Sequence, residues 1–139
     1  MMRALPARAG LLLSLLLLVG CGKAKETGPV CYPTKGKVLF GGKPAAKVDV
    51  YFHPATPTNP QAPHPHAKTD ANGEYQMTTR LLADGAPEGE YIATFFWPSA
   101  EDVEEPTDRL QGRYSRPEKS KNRVAVKPGV NEIPPFDLR

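Results

Sequence analysis

The chain has 139 residues, with 18 basic and 15 acidic side chains and a formal net charge of +3. That length accommodates one ordinary domain and excludes two. Its 16 prolines and 12 glycines exclude long helices, because proline removes a backbone donor and clashes with the preceding turn.

In chain order, the first element is a leader. Met1 to Gly10 carries Arg3 and Arg8 and no acid, and Leu11 to Val19 is apolar apart from Ser14. The apolar run is too short for a permanent span, which needs about 20 such residues to cross a ~30 Å hydrocarbon core. Residues 1–20 therefore have the plan of a secretory signal peptide: charged start, apolar centre, small residue at the break. The break itself, Leu18-Val19-Gly20-Cys21, resembles the lipobox of bacterial lipoproteins. The resemblance implies cleavage before Cys21 and attachment of acyl chains such as palmitate. It places the protein on a membrane of the cell envelope, facing the periplasm. Gly22 in place of an aspartate favours the outer over the inner membrane. Removing Arg3 and Arg8 leaves 16 basic against 15 acidic residues, so the basic surplus is largely a property of the leader. No dense basic stripe stands out along the chain, and a nucleic-acid partner is not expected. Cys21 committed to lipid leaves Cys31 with no internal disulfide partner; a small, buried apolar role is expected for it.

Residues 21–29 have no apolar periodicity and read as a lipidated tether. The eight residues after Cys21 reach at most ~28 Å, which keeps the domain near the bilayer. Residues 30–139 then form a β-rich domain. Val30 to Phe40 holds a first strand, and Gly41-Gly42-Lys43-Pro44 turns the chain. Lys47 to His53 alternates, with Val48, Val50 and Phe52 on one face. Prolines at 54, 57, 60, 63 and 65 then impose an irregular loop. Ala67 to Thr69 re-enters the sheet. Asp70-Ala71-Asn72-Gly73 is a hairpin turn into Glu74 to Thr78, with Tyr75 and Met77 inward. Gly85 to Gly89 turns again into Glu90 to Trp97, the longest apolar strand. Residues 98–122 form a long charged excursion. Arg123 to Lys127 alternates, Pro128-Gly129 turns, and Asn131 to Arg139 supplies the last strand, starting late or lying on an edge because of Pro134-Pro135. Seven short strands between turn signals predict an all-β, seven-stranded antiparallel sandwich.

The runs Gly36-Lys37-Val38, Gly42-Lys43-Pro44 and Val48-x-Val50-x-Phe52-x-Pro54 are joined by Thr69-Asp70-x-x-Gly73-x-Tyr75 and Gly85-Ala86-Pro87-x-Gly89-x-Tyr91. Together they resemble a carboxypeptidase-regulatory-like or transthyretin-like domain. Asp108-Arg109-Leu110-x-Gly112-x-Tyr114 and Asn131 are similar to small bacterial lipoproteins built on it. The resemblance covers Val30 to Arg139. It implies a prealbumin-like, Ig-like sandwich and no catalytic residues. The hydroxyisourate hydrolases of the transthyretin fold end in Tyr-Arg-Gly-Ser; this chain ends Pro135-Phe136-Asp137-Leu138-Arg139, which speaks against that reaction.

Chemistry-bearing residues are few. His53, His64 and His66 suit zinc or copper by type, but they sit in or beside the proline-rich loop without cysteine or acid at ligand spacing, so solvated histidines and no bound metal are expected. Glu101, Asp102, Glu104, Glu105 and Asp108 lack the glycine-bent spacing of a calcium loop, and Asp70 to Glu74 is explained by its hairpin. Ser99, Ser115, Ser120 and Cys31 stand in no nucleophile elbow. The face of Tyr91, Phe95 and Trp97 reads as core rather than, with Phe96, as a sugar platform. Arg109, Arg113, Tyr114 and Arg116 combine guanidinium donors with an aromatic, a mixture enriched at interfaces, and are the candidate partner surface. A solvated excursion packing Leu110 and Tyr114 back onto the sheet is the competing expectation. The chain is thus expected to be a lipid-anchored, non-catalytic binding or structural module without a cofactor, meeting an envelope protein or a glycan. A carbohydrate or small-ligand site on residues 98–122 is the alternative, and a transthyretin-type hydrolase a more distant one.

Overall fold

The computed structural model describes residues 20, 22, 27–56 and 59–139. The lipobox residues Leu18, Val19 and Cys21, the leader before them and residues 23–26 lie outside the described residues. No helix among the described residues is long and apolar enough to cross a membrane.

Among the described residues the fold is all-β, with several sheets and no barrel. Its strands are β1 (Cys31–Tyr32), β2 (Thr34–Phe40), β3 (Lys43–Pro44), β4 (Asp49–Pro54), β5 (His66–Lys68) and β6 (Glu74–Gln76), then β7 (Ala86–Pro87), β8 (Gly89–Phe96), β9 (Arg123–Val126), β10 (Asn131–Glu132) and β11 (Phe136–Leu138). One 3-10 turn covers Pro117–Lys119. Four strands form an antiparallel sheet in the order β5-β4-β8-β9. A second sheet is built on β2, which pairs with β6, β3, β10 and β11. β1 and β7 form a small third ladder.

The period-two pattern of β4 does what alternation predicts. Val48, Val50 and Phe52 are fully buried while Tyr51 remains 41% exposed. Its start is later than expected: Lys47 adopts φ 63°, outside the β region, so pairing begins at Asp49. The Asp70 hairpin forms as read. Its Oδ1 accepts the Asn72 and Glu74 amides at 2.9 and 3.0 Å. Gly73 has φ +72°, and a Cβ there would stand 2.5 Å from the Val38 carbonyl oxygen. Gly85 is as constrained: φ is +96°, and a Cβ would meet the Tyr32 oxygen at 1.8 Å. The turn expected there also contains β7.

The antiparallel expectation fails at the C-terminus. β10 and β11 run parallel to β2, with Asn131 opposite Thr34 and Leu138 opposite Phe40. Hairpins force neighbours to be antiparallel, but the chain here leaves the four-stranded sheet after β9 and crosses to the other, so its direction is free. Pro134 and Pro135, which lack amide donors, divide the expected last strand into β10 and β11.

One apolar cluster unites the sheets. Phe52 of β4 meets the Tyr75 ring of β6 edge-on at 6.5 Å, and Phe95 of β8 meets Phe136 of β11 at 4.9 Å. Burying each such ring stabilises the fold by roughly 1.5–3 kcal/mol.

Candidate functional site

The candidate surface lies on the excursion between β8 and β9, and Asp108 builds it. Its Oδ1 accepts the amides of Trp97 at 3.0 Å and Leu110 at 2.9 Å, and its Oδ2 accepts the Gly112 amide at 2.9 Å. The Arg109 amide returns a bond to the Trp97 carbonyl at 2.7 Å. Gln111 and Gly112 both have positive φ, which reverses the chain and drives Leu110 inward, where it is fully buried. Asp108, one of six acids in the excursion, is thus a turn-builder; each charge-assisted bond to a backbone amide contributes roughly 1.5–3 kcal/mol before screening.

The four candidate residues divide. Arg109 is exposed and lies over Trp97, with its guanidinium carbon 3.8 Å from the ring centroid. Arg113 and Arg116 are exposed, Arg113 donating from Nε to the Leu110 carbonyl at 3.2 Å. Tyr114 faces inward. Its ring meets Phe95 edge-on at 6.4 Å, and its hydroxyl donates to the Arg139 carbonyl at 3.0 Å while accepting the Arg139 amide at 2.9 Å. The expectation that Leu110 and Tyr114 pack back onto the sheet is met, while the arginines remain outside. Trp97 is half-buried between Arg109 and Phe40, whose ring meets it at 5.5 Å, so one face of the indole is already covered.

The histidines are brought partly together. The His53 and His64 rings stand 6.0 Å apart, and His53 Nε2 bonds Thr94 Oγ1 at 2.8 Å. Burial, then the neighbouring His64, pushes the His53 pKa below its usual value. His66 turns its Nδ1 to the His64 carbonyl at 3.1 Å. No group of three metal-ligating side chains forms among the described residues. A cavity of about 530 Å³ adjoins His64, lined chiefly by prolines from the loop, Pro29 and the start of β8. A wider groove of about 710 Å³ crosses β6, β2 and β10, with Lys35, Lys37 and Lys68 facing Asp70, Glu74 and Glu132.

Cys31 is a half-buried free thiol. Burial, followed by the Asp84 carboxylate, raises its pKa despite Arg80 nearby, so the thiol stays protonated and a poor nucleophile. Its neighbours have no signature in the local sequence. Asp84 accepts the amides of Thr79, Arg80 and Leu81, at 2.7, 3.1 and 3.0 Å. Burial alone would raise its carboxyl, but those amides more than offset this and hold it low. Arg80 Nη2 donates to the Pro29 carbonyl at 2.7 Å, fastening the end of the tether segment to the domain.

No family model matches the chain, and no curated protein matches it. Among solved structures, a DUF3823 family protein from Parabacteroides merdae overlays 77% of this chain with a TM-score of 0.43 and 12% identity. A 9R-lipoxygenase from Cyanothece overlays 84% with a TM-score of 0.41 and 15% identity. This chain spans 45% of the first and 18% of the second. Likeness of this degree lends neither protein's activity to the chain.

Proposed function

We propose that the chain is a non-catalytic binding module of the cell envelope, held to the membrane by lipid on Cys21. In this reading the β5-β4-β8-β9 sheet and the sheet about β2 are the two leaves of a carboxypeptidase-regulatory-like sandwich. Seven segments, β2, β4, β5, β6, β8, β9 and β11, have three residues or more and supply its seven strands. The single observation that carries the binding role is the Asp108-built excursion. It spends three backbone bonds and a fully buried leucine on fixing a segment whose outward side chains are Arg109, Arg113 and Arg116. A merely solvated loop needs no such framework. Pre-organised guanidinium groups suit an anionic partner, because little side-chain and loop entropy remains to be lost on contact.

The test is co-purification from gently solubilised envelopes, comparing the full chain with an Arg109→Glu, Arg113→Glu, Arg116→Glu triple variant. A partner retained by the first and lost by the second is the expected result; an identical set of retained proteins removes the reading. Cys21→Ser should release the protein from the membrane fraction, and unchanged partitioning would dispose of the lipid anchor. For the glycan alternative, the covered face of Trp97 is unfavourable, since a sugar stacking there must displace Arg109.

A further inference from the structure

Resting on that binding-module reading, we infer that the contact is made along the outer edge of β9, by addition of an acidic extended peptide as a further strand. β9 is a terminal strand of its sheet. Its register places Val124 opposite Tyr91 and Val126 opposite Gly89. The Glu90 carbonyl accepts Ala55 N on the β4 side, whereas Ala93 N and Phe95 N reach the other way, to Asn122 O and Tyr114 O. Backbone directions alternate along a strand, so the odd-numbered residues of β8 serve β9, and Val124 and Val126 answer them. The amides and carbonyls of Arg123 and Ala125 therefore point away from the sheet. Among the described residues nothing beyond the sheet pairs with them. The free stretch has a defined end: Asn131 closes the Lys127 backbone, accepting its amide at 2.9 Å and donating to its carbonyl at 2.8 Å.

The charge along this edge names the partner. From Arg109 to Lys127 the chain carries seven basic residues and one acid, Glu118. None of the seven takes part in an ion pair among the described residues. The other acids of the excursion, Glu101 to Asp108, precede them. Chain order spreads these cations over 19 residues, but the fold gathers them: Tyr114, Asn122 and β9 all bond the same side of β8. Lys121 and Arg123 flank the free backbone groups, with Ala125 an exposed small side chain beside them. A second copy of β9 would set cation against cation, so self-pairing is disfavoured. An extended peptide with acids at alternate positions satisfies both the unpaired backbone groups and the charge.

The probe is a labelled, acetylated peptide of about eight residues alternating Glu and Val, titrated into the detergent-solubilised full chain by fluorescence anisotropy. Binding is expected, and a Lys-Val peptide of the same length should not bind. Ala125→Pro removes an outward donor at an edge position where proline is tolerated; it should weaken binding by about tenfold or more. Lys121→Glu with Arg123→Glu should weaken it by a similar factor and flatten its dependence on salt between about 0.05 and about 0.5 M. Methylating alternate peptide nitrogens should abolish it. Binding that survives both Ala125→Pro and N-methylation, or that transfers to phosphatidylglycerol vesicles with equal indifference to Ala125→Pro, overturns strand addition. An envelope partner that is captured, lost from the arginine triple variant and unaffected by Ala125→Pro would leave the binding module standing while removing the β9 edge from it.

Discussion

The two edges of the β5-β4-β8-β9 sheet are built on opposite plans. At β5, His66 exchanges backbone bonds with Thr78, donating at 2.9 Å and accepting at 2.8 Å, so at that residue the edge is covered by the chain that leads out of β6. At β9 no such cover exists among the described residues, and Lys121 and Arg123 are exposed along the strand. A bare edge is a hazard, and lysine and arginine blunt it against indiscriminate pairing. The same charges that repel a copy of the chain select an acidic strand. Protection and recognition are thus two consequences of one arrangement.

The largest predicted effect breaks the framework that leads to the open edge. Leu110→Ala leaves a void under the excursion and should cost about 3 kcal/mol in denaturant unfolding. Exchange of the Phe95 amide, which bonds Tyr114, should accelerate more than that of His66, which is served by Thr78. Equal acceleration at both would mean that the two sides are not separable units.

Proline then sharpens the contrast. His66→Pro deletes the donor to Thr78 and should cost about 2 kcal/mol. Ala125→Pro deletes a donor that faces solvent and should cost less than about 0.5 kcal/mol in the free protein. Similar losses for the two variants would show that β9 is already paired.

Acid should act on one side only. The three histidines lie on β4, β5 and the loop between them, away from the β9 side. Burial and His64 depress the His53 pKa, so folding favours its neutral form. Stability from this source is present above the unfolded value of about 6.5 and is lost as pH falls through the lower folded value. Thermal unfolding between about pH 7 and about pH 5 should show a decline that His53→Gln makes shallower. Asp84, held below its ordinary 3.8, contributes its own loss only at lower pH. The smallest effect belongs to the surface charges: Lys121→Glu with Arg123→Glu should alter stability by no more than about 0.5 kcal/mol.

What could be read in advance follows from where each signal resides. Alternation in Val48, Val50 and Phe52 and turn chemistry in Asp70 and Gly73 are local, and both appear in the structure as expected. The parallel placement of β10 and β11 depends on a crossing between sheets, for which no local residue is responsible. Asp108 was legible as an acid and not as the acceptor for Trp97, eleven residues earlier in the chain. Net charge concealed the cationic edge for a similar reason. Summed over the chain the charges nearly balance, yet they are segregated along the excursion: every acid but Glu118 lies at or before Asp108, and the bases follow it. Tyr114 was grouped with its arginine neighbours by sequence, but its position opposite Phe95 and Arg139 draws it inward.

Amide hydrogen exchange along β9 tests the central claim most directly. In the free protein, Val124 and Val126 should be protected by their bonds to β8 while Arg123 and Ala125 exchange at nearly unstructured rates. On adding the acidic Glu-Val peptide, Arg123 and Ala125 should become protected as well. Slow exchange at Arg123 and Ala125 in the free protein, or fast exchange there at saturating peptide, would contradict an open edge that accepts a strand.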